Sequence, residues 1–215
     1  VAGHREVGQT ACPGGGFFPQ LQSIAQSTQP TSFPTNPATS STTVGALRFG
    51  DFDGDGVTDV FSTFGGKWWY SSGGSTAWIP LNTSGATFDQ LRFGDFDGDG
   101  VTDVFSTFNG RWLYSSGGQS AWITLARSSA KVDTLGFGDF NGDGVTDVFS
   151  TFNGRWLYSS GGQSAWIQLN TSATTLDRLK LADFDGDGLT DVFSGFGGRW
   201  WYSSGGTSAW SLLRS

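Results

Sequence analysis

Short runs of aromatic and β-branched residues, broken by paired glycines, fill most of the chain. The first set is Leu47–Phe52 (LRFGDF), Asp59–Phe64 (DVFSTF), Lys67–Ser72 (KWWYSS) and Ala77–Asn82 (AWIPLN), with Gly65-Gly66 and Gly73-Gly74 between the later members. Runs of about six such residues separated by Gly-Gly or Asn-Gly predict strands joined by hairpins. Alternation in Lys67–Ser72 puts Trp68 and Tyr70 on one face and Trp69 on the other, where Leu113, Leu157 and Trp201 are its equivalents. A sheet that is apolar on both faces must be covered on both.

The whole set recurs. The pattern D-x-[DN]-G-D-G-x-T-D starts at Asp51, Asp95, Asp139 and Asp183, 44 residues apart each time. Repeats with a period in the forties indicate a propeller, solenoid or array, and four antiparallel strands per repeat match one propeller blade. The expected fold is therefore all-β, a β-propeller of four-stranded blades at about 47–90, 91–134, 135–178 and 179–215. Residues 28–46 are rich in Thr, Ser and Pro and read as an extended linker, with Thr43–Ala46 available as a closing segment. Residues 1–27 form a separate N-terminal stretch.

Composition narrows the function classes. One Cys among 215 residues excludes a disulfide scaffold. An aromatic content of 15% argues against disorder. A net charge of −7 argues against nucleic-acid binding, and no apolar run is long enough to span a bilayer as a helix. The acid is concentrated: only Glu6, Asp89, Asp133 and Asp177 lie outside the four motifs.

Carboxylates at loop positions 1, 3, 5 and 9, with Gly at 4 and 6, supply the clustered hard oxygen ligands that Ca²⁺ takes. The candidate ligands are Asp51, Asp53, Asp55, the Val57 carbonyl and Asp59; then Asp95, Asp97, Asp99, Val101 and Asp103. The third and fourth sets are Asp139, Asn141, Asp143, Val145 and Asp147, and Asp183, Asp185, Asp187, Leu189 and Asp191. About four Ca²⁺ per chain are expected, one per loop. An EF-hand is excluded, because Ser62 stands where its Glu would be and strands flank the loop. The plainer alternative is that the Asp-Gly pairs only make turns.

FGDFDGDGVTDVF and its three counterparts resemble the FG-GAP (VCBS-type) repeats of integrin alpha-chain propellers and secreted bacterial proteins. The resemblance covers 47–215 and implies a secreted, calcium-stabilised propeller with the matched loop residues as ligands. Such propellers usually have seven blades, whereas four are encoded here. A closed four-bladed ring, pairing with a second copy into a homodimer, and further blades outside this chain each satisfy that difference; self-association is favoured because an unclosed stack exposes two apolar faces. Residues 3–14 (GHREVGQTACPG) are similar to the C-terminal motif of zinc N-acetylmuramoyl-L-alanine amidases and peptidoglycan recognition proteins, with His4 and Cys12 as the matching zinc ligands. With no third ligand in the chain, zinc and catalysis are not expected here; the stretch reads as the end of a parent amidase.

The repeated aromatics have two readings. Trp68, Trp112, Trp156 and Trp200, together with Trp78, Trp122, Trp166 and Trp210, either pack blade on blade or stack on pyranose rings with nearby Ser, Gln and Arg as polar partners. The expected function is a non-catalytic, lectin-like module that binds cell-wall or other microbial glycan. The alternative is a structural or protein-interaction propeller with no ligand beyond calcium.

Overall fold

The computed structural model describes residues 47–214. Each repeat folds into one four-stranded antiparallel sheet in chain order. Blade 1 holds β1 (Arg48–Gly50), β2 (Asp59–Phe64), β3 (Lys67–Ser71) and β4 (Ile79–Thr83). Blade 2 holds β5 (Arg92–Gly94), β6 (Asp103–Phe108), β7 (Arg111–Ser115) and β8 (Ile123–Arg127). Blade 3 holds β9 (Gly136–Gly138), β10 (Asp147–Phe152), β11 (Arg155–Ser159) and β12 (Ile167–Thr171). Blade 4 holds β13 (Leu179–Ala182), β14 (Asp191–Phe196), β15 (Arg199–Ser203) and β16 (Ser211–Arg214). The fold is a β-propeller of four blades, as the repeat predicts. Strand ends differ by a residue or two: β1 stops at Gly50 because Asp51 already enters the acidic loop, and β4 starts at Ile79 rather than Ala77.

Local chemistry explains the hairpins. The two residues between second and third strands both need positive φ, the requirement of a two-residue turn matched to strand twist. Gly65-Gly66 and Gly197-Gly198 meet it with glycine, and Asn109-Gly110 and Asn153-Gly154 with Asn at φ 49° followed by glycine. A β-bulge interrupts the third-to-fourth strand pairing beside Trp112, Trp156 and Trp200, and between Lys67 and Trp69 in blade 1.

The core lies between blades. At the junction of blades 1 and 2, Phe52, Phe61, Trp68 and Tyr70 are buried against Leu91, Val104, Phe93 and Trp122. The next two junctions repeat this with Phe105, Trp112 and Val148, and with Phe149, Trp156 and Val192. At each junction a third-strand indole meets, edge-on, the Trp that just precedes the fourth strand of the following blade: Trp68 with Trp122 at 5.4 Å, Trp112 with Trp166 at 5.4 Å and Trp156 with Trp210 at 5.3 Å. Such pairs add about 0.5–1.5 kcal/mol each beyond area burial.

Polar bonds fix the junctions as well. The N–H of Thr102 donates to the Asp51 carbonyl at 2.6 Å, and the Asp51 N–H donates to Thr102 Oγ1 at 2.9 Å. Thr146 and Asp95 repeat the pair at 2.5 and 3.0 Å, and the Thr190 N–H donates to the Asp139 carbonyl at 2.6 Å. This approach needs glycine just before each Asp. A Cβ on Gly50, Gly94 or Gly138 would lie 2.6, 2.7 or 2.5 Å from the γ-methyl of Thr102, Thr146 or Thr190.

Two sheet faces fall outside these junctions. On blade 4, Trp200 is 61% exposed, against 1–2% for Trp68, Trp112 and Trp156. On blade 1, Phe49 is 52% exposed and Val60 is half-buried, whereas Val104, Val148 and Val192 are fully buried.

The steric claim predicts that Gly94→Ala destabilises the protein by about 1–3 kcal/mol, the usual cost of overpacking, while Gly85→Ala, whose Cβ would meet nothing within 4 Å, stays within about 0.5 kcal/mol of wild type. Chemical denaturation of both variants measures the difference; equal stabilities contradict the close approach.

Candidate metal centre

The four acidic loops connect first and second strands at one end of each blade. Asp51 is held at both oxygens by its own loop, with Oδ1 accepting from the Gly54 N–H at 2.7 Å and Oδ2 from the Gly56 N–H at 2.8 Å. Asp95, Asp139 and Asp183 are held in the same way. Gly54 and Gly56 sit at φ 76° and 80°, which lets the turn present both donors inward. Asp55 Oδ1 accepts from the Val57 N–H at 2.8 Å.

The ninth position has a second task that the sequence alone does not disclose. Asp59, Asp103, Asp147 and Asp191 are fully buried. Asp59 Oδ2 accepts from the Phe52 N–H at 2.8 Å, and Oδ1 accepts from the Gly73 N–H at 2.8 Å. The same two bonds recur at Asp103, Asp147 and Asp191. Each of these aspartates therefore ties the acidic loop to the turn between third and fourth strands. Before Asp103, Asp147 and Asp191, the threonine ties the loop to the preceding blade. Recurrence of T-D in all four copies was the available signal for both roles.

Carboxylate oxygens converge within 4.8 Å in three loops: Asp51, Asp53 and Asp59; Asp95, Asp97 and Asp99; and Asp183, Asp185 and Asp191. Hard anionic oxygens brought together in this way suit a divalent cation such as Ca²⁺. Asp55, Asp103 and Asp187 belong to the same loops but lie outside these tight groups. Val101, Val145 and Leu189 place side chains over Gly54, Gly98 and Gly142 of the preceding loop, so position 7 also serves the junction. In the third loop Asn141 interrupts the acid cluster: its Nδ2 donates to Asp143 Oδ2 and to Ser160 Oγ, both at 3.0 Å.

Burial raises the proton affinity of the ninth-position aspartates. Burial pushes Asp103 up to about 7 against two backbone hydrogen bonds, and Asp97 and Asp95 push it further. Asp147 rises to about 6 for the same leading reason, with Asp143 and Asp139 adding to it. Asp59 and Asp191 move in the same direction. The tyrosines of the third strands are drawn in too: burial and the loop carboxylates raise Tyr70, Tyr114, Tyr158 and Tyr202, and Tyr114 shares a hydrogen bond with Asp97.

The other sequence candidates fall in different places. Trp68, Trp112 and Trp156 are buried in the junctions and leave no ring face for a sugar, so their candidacy as stacking platforms is corrected to blade packing. Trp78, Trp122 and Trp210 are half-buried, while Trp166 is 40% exposed and Trp200 more so. Asp89 lies within the short turn Phe88–Gln90 that Thr87 caps, and accepts from Thr87 Oγ1 at 2.6 Å. His4, Cys12 and the 28–46 linker lie outside the described residues. Among the described residues no helix is long and apolar enough to cross a membrane.

Residues 139–194 match the model of the FG-GAP-like repeat, which spans the third blade and the loop of the fourth. No curated protein matches the sequence. Among solved structures the chain is similar to an Agrocybe aegerita lectin described as recognising non-reducing terminal N-acetylglucosamine, with TM-score 0.55 and 14% identity over 73% of this chain and 48% of the lectin. It is also similar to part of the Photorhabdus luminescens Tc holotoxin pore, with TM-score 0.56 and 16% identity over 80% of this chain and 9% of that one. The chain thus spans less than half of either relative. At these identities the likeness is one of fold.

The raised aspartates set the sign of the pH response. A carboxyl whose folded value exceeds its unfolded one binds protons more readily in the folded protein, so metal-free stability declines as pH rises from the usual carboxylate range toward 7. A cation competes for the same oxygens, so Ca²⁺ should bind more tightly at pH 8 than at pH 6 and release protons on binding. Calorimetric titration at both pH values, in buffers of different ionisation enthalpy, checks this; a pH-independent affinity contradicts it. In the same titration the third loop should be the weakest site and Asn141→Asp should strengthen it, whereas a third loop that binds tightest opposes the ligand assignment.

Proposed function

We propose that the chain is a non-catalytic, calcium-stabilised propeller module of the FG-GAP type that binds carbohydrate outside cells. The observation that carries the calcium reading is the convergence of three carboxylates within 4.8 Å in three of the four loops. Asp51 and Asp53, Asp95 and Asp97, and Asp183 and Asp185 would hold the ion with the remaining loop acids, and the bound charge would favour the ionised form of the buried aspartates, which burial first and the neighbouring acids second now raise.

The carbohydrate reading draws on the lectin relative and on grooves at the loop end. Between blades 1 and 2 such a groove is lined by Phe52, Asp53, Asp99, Ser116, Gln119 and Ser120. Hydroxyl, amide and carboxylate groups of this kind are suited to sugar hydroxyls. The repeat places Gln163 and Ser164 at the corresponding position of the next blade, so one weak site per junction would gain by avidity. A parent peptidoglycan amidase, suggested by residues 3–14, would place such a module at the cell wall and outside the cell. The second reading, a structural propeller with no ligand beyond calcium, is favoured by the burial of the repeated tryptophans in the junctions.

A glycan array followed by calorimetry on N-acetylglucosamine oligomers and peptidoglycan fragments separates the two. In millimolar calcium the carbohydrate reading predicts binding that weakens at least about five-fold in Gln119→Ala, roughly a 1 kcal/mol hydrogen-bond loss. No binding to any glycan with calcium present supports the structural reading.

A further inference from the structure

The uncovered faces of blades 1 and 4 are the two halves of a repeat junction. Blade 4 keeps Phe184, Phe193, Trp200 and Tyr202, the counterparts of Phe52, Phe61, Trp68 and Tyr70. Blade 1 keeps Phe49, Val57, Thr58 and Trp78, the counterparts of Phe93, Val101, Thr102 and Trp122. Trp200 is without the edge-on indole that Trp68, Trp112 and Trp156 each meet, and a second copy's Trp78 is the residue that would supply it. Aromatic content alone would therefore drive copies together, head to tail.

One atom opposes this. At all three internal junctions the residue before the first loop Asp is glycine, and a Cβ there would lie 2.5–2.7 Å from the incoming threonine, closer than carbon atoms pack. Blade 4 carries Ala182 at that place, paired with Asp191 in the register that pairs Gly50 with Asp59. Thr58 of a second copy would meet this methyl. Separating them moves the threonine away from the Asp183 backbone and forfeits the N–H to carbonyl bond that all three internal junctions make.

We propose that Ala182 terminates the stack: its methyl group prevents blade 4 from accepting blade 1 of a second copy, or any other blade with threonine at the Thr58 position. Blade 4 also has Gly195 where the other blades have Thr63, Thr107 and Thr151, but it keeps the aromatic residues of the face.

Sedimentation velocity of the full chain, calcium-saturated, over a range of concentrations tests the proposal. Wild type should sediment as a monomer, while Ala182→Gly should self-associate with an affinity at least ten-fold higher. Adding Trp200→Ser to Ala182→Gly should return it to monomer, which places the association on this face. Circular dichroism establishes that each variant is folded; should Ala182→Gly fail to fold, a mixture of wild type with Thr58→Gly, which removes the opposing side chain, should associate where wild type alone does not. Wild type and Ala182→Gly that behave alike, whether both monomeric or both associated, overturn the proposal. Association that persists after Trp200→Ser overturns it as well.

Discussion

The pinning of loop carboxylates by backbone amides is the constraint on which the structure turns. Asp51 is pinned at both oxygens by the loop's own amides, and Asp59 is pinned at both by Phe52 and Gly73. Asp51 and Asp59 are thus held in place by backbone amides. Burial first, and the neighbouring acids second, raise Asp103, whose charge would be met by proton uptake or by a metal.

The same loops hold blade to blade. Thr102 lies within the second acidic motif and bonds both backbone groups of Asp51, the first residue of the first motif. Val101 lies over Gly54. Ligand loops and hydrophobic junctions are thus one system: a cation that steadies one loop also steadies the clamp on its neighbour. This arrangement gives the stack a direction, with threonine reaching backward and glycine receiving it. It also explains how one residue such as Ala182 can end the stack without altering the fold of its own blade.

Much of this was legible in the sequence because the repeat displays it four times. The 44-residue period, the Gly-Gly and Asn-Gly hairpins and the acid spacing specify blade, turn and loop through local chemistry. What escaped was set by approach between blades. Burial of Trp68, Trp112 and Trp156, with Trp200 left exposed, depends on which neighbour covers which face, and strand alternation does not encode that. The threonine clamp and the need for Gly50, Gly94 and Gly138 are likewise distances between repeats. The substitution at Ala182 is visible in the sequence, but its meaning appears only once the junction geometry is known.

A propeller whose blades are clamped to one another through Thr102, Thr146 and Thr190 would suit the proposed binding role, since recognition surfaces gain from preorganised scaffolds. Amide hydrogen exchange at Thr102, Thr146 and Thr190 tests the coupling of loop to junction most directly. Protection at all three should rise together when calcium is added to chelated protein. Exchange at those amides that stays the same with and without calcium would show that the acidic loops do not hold the blades together.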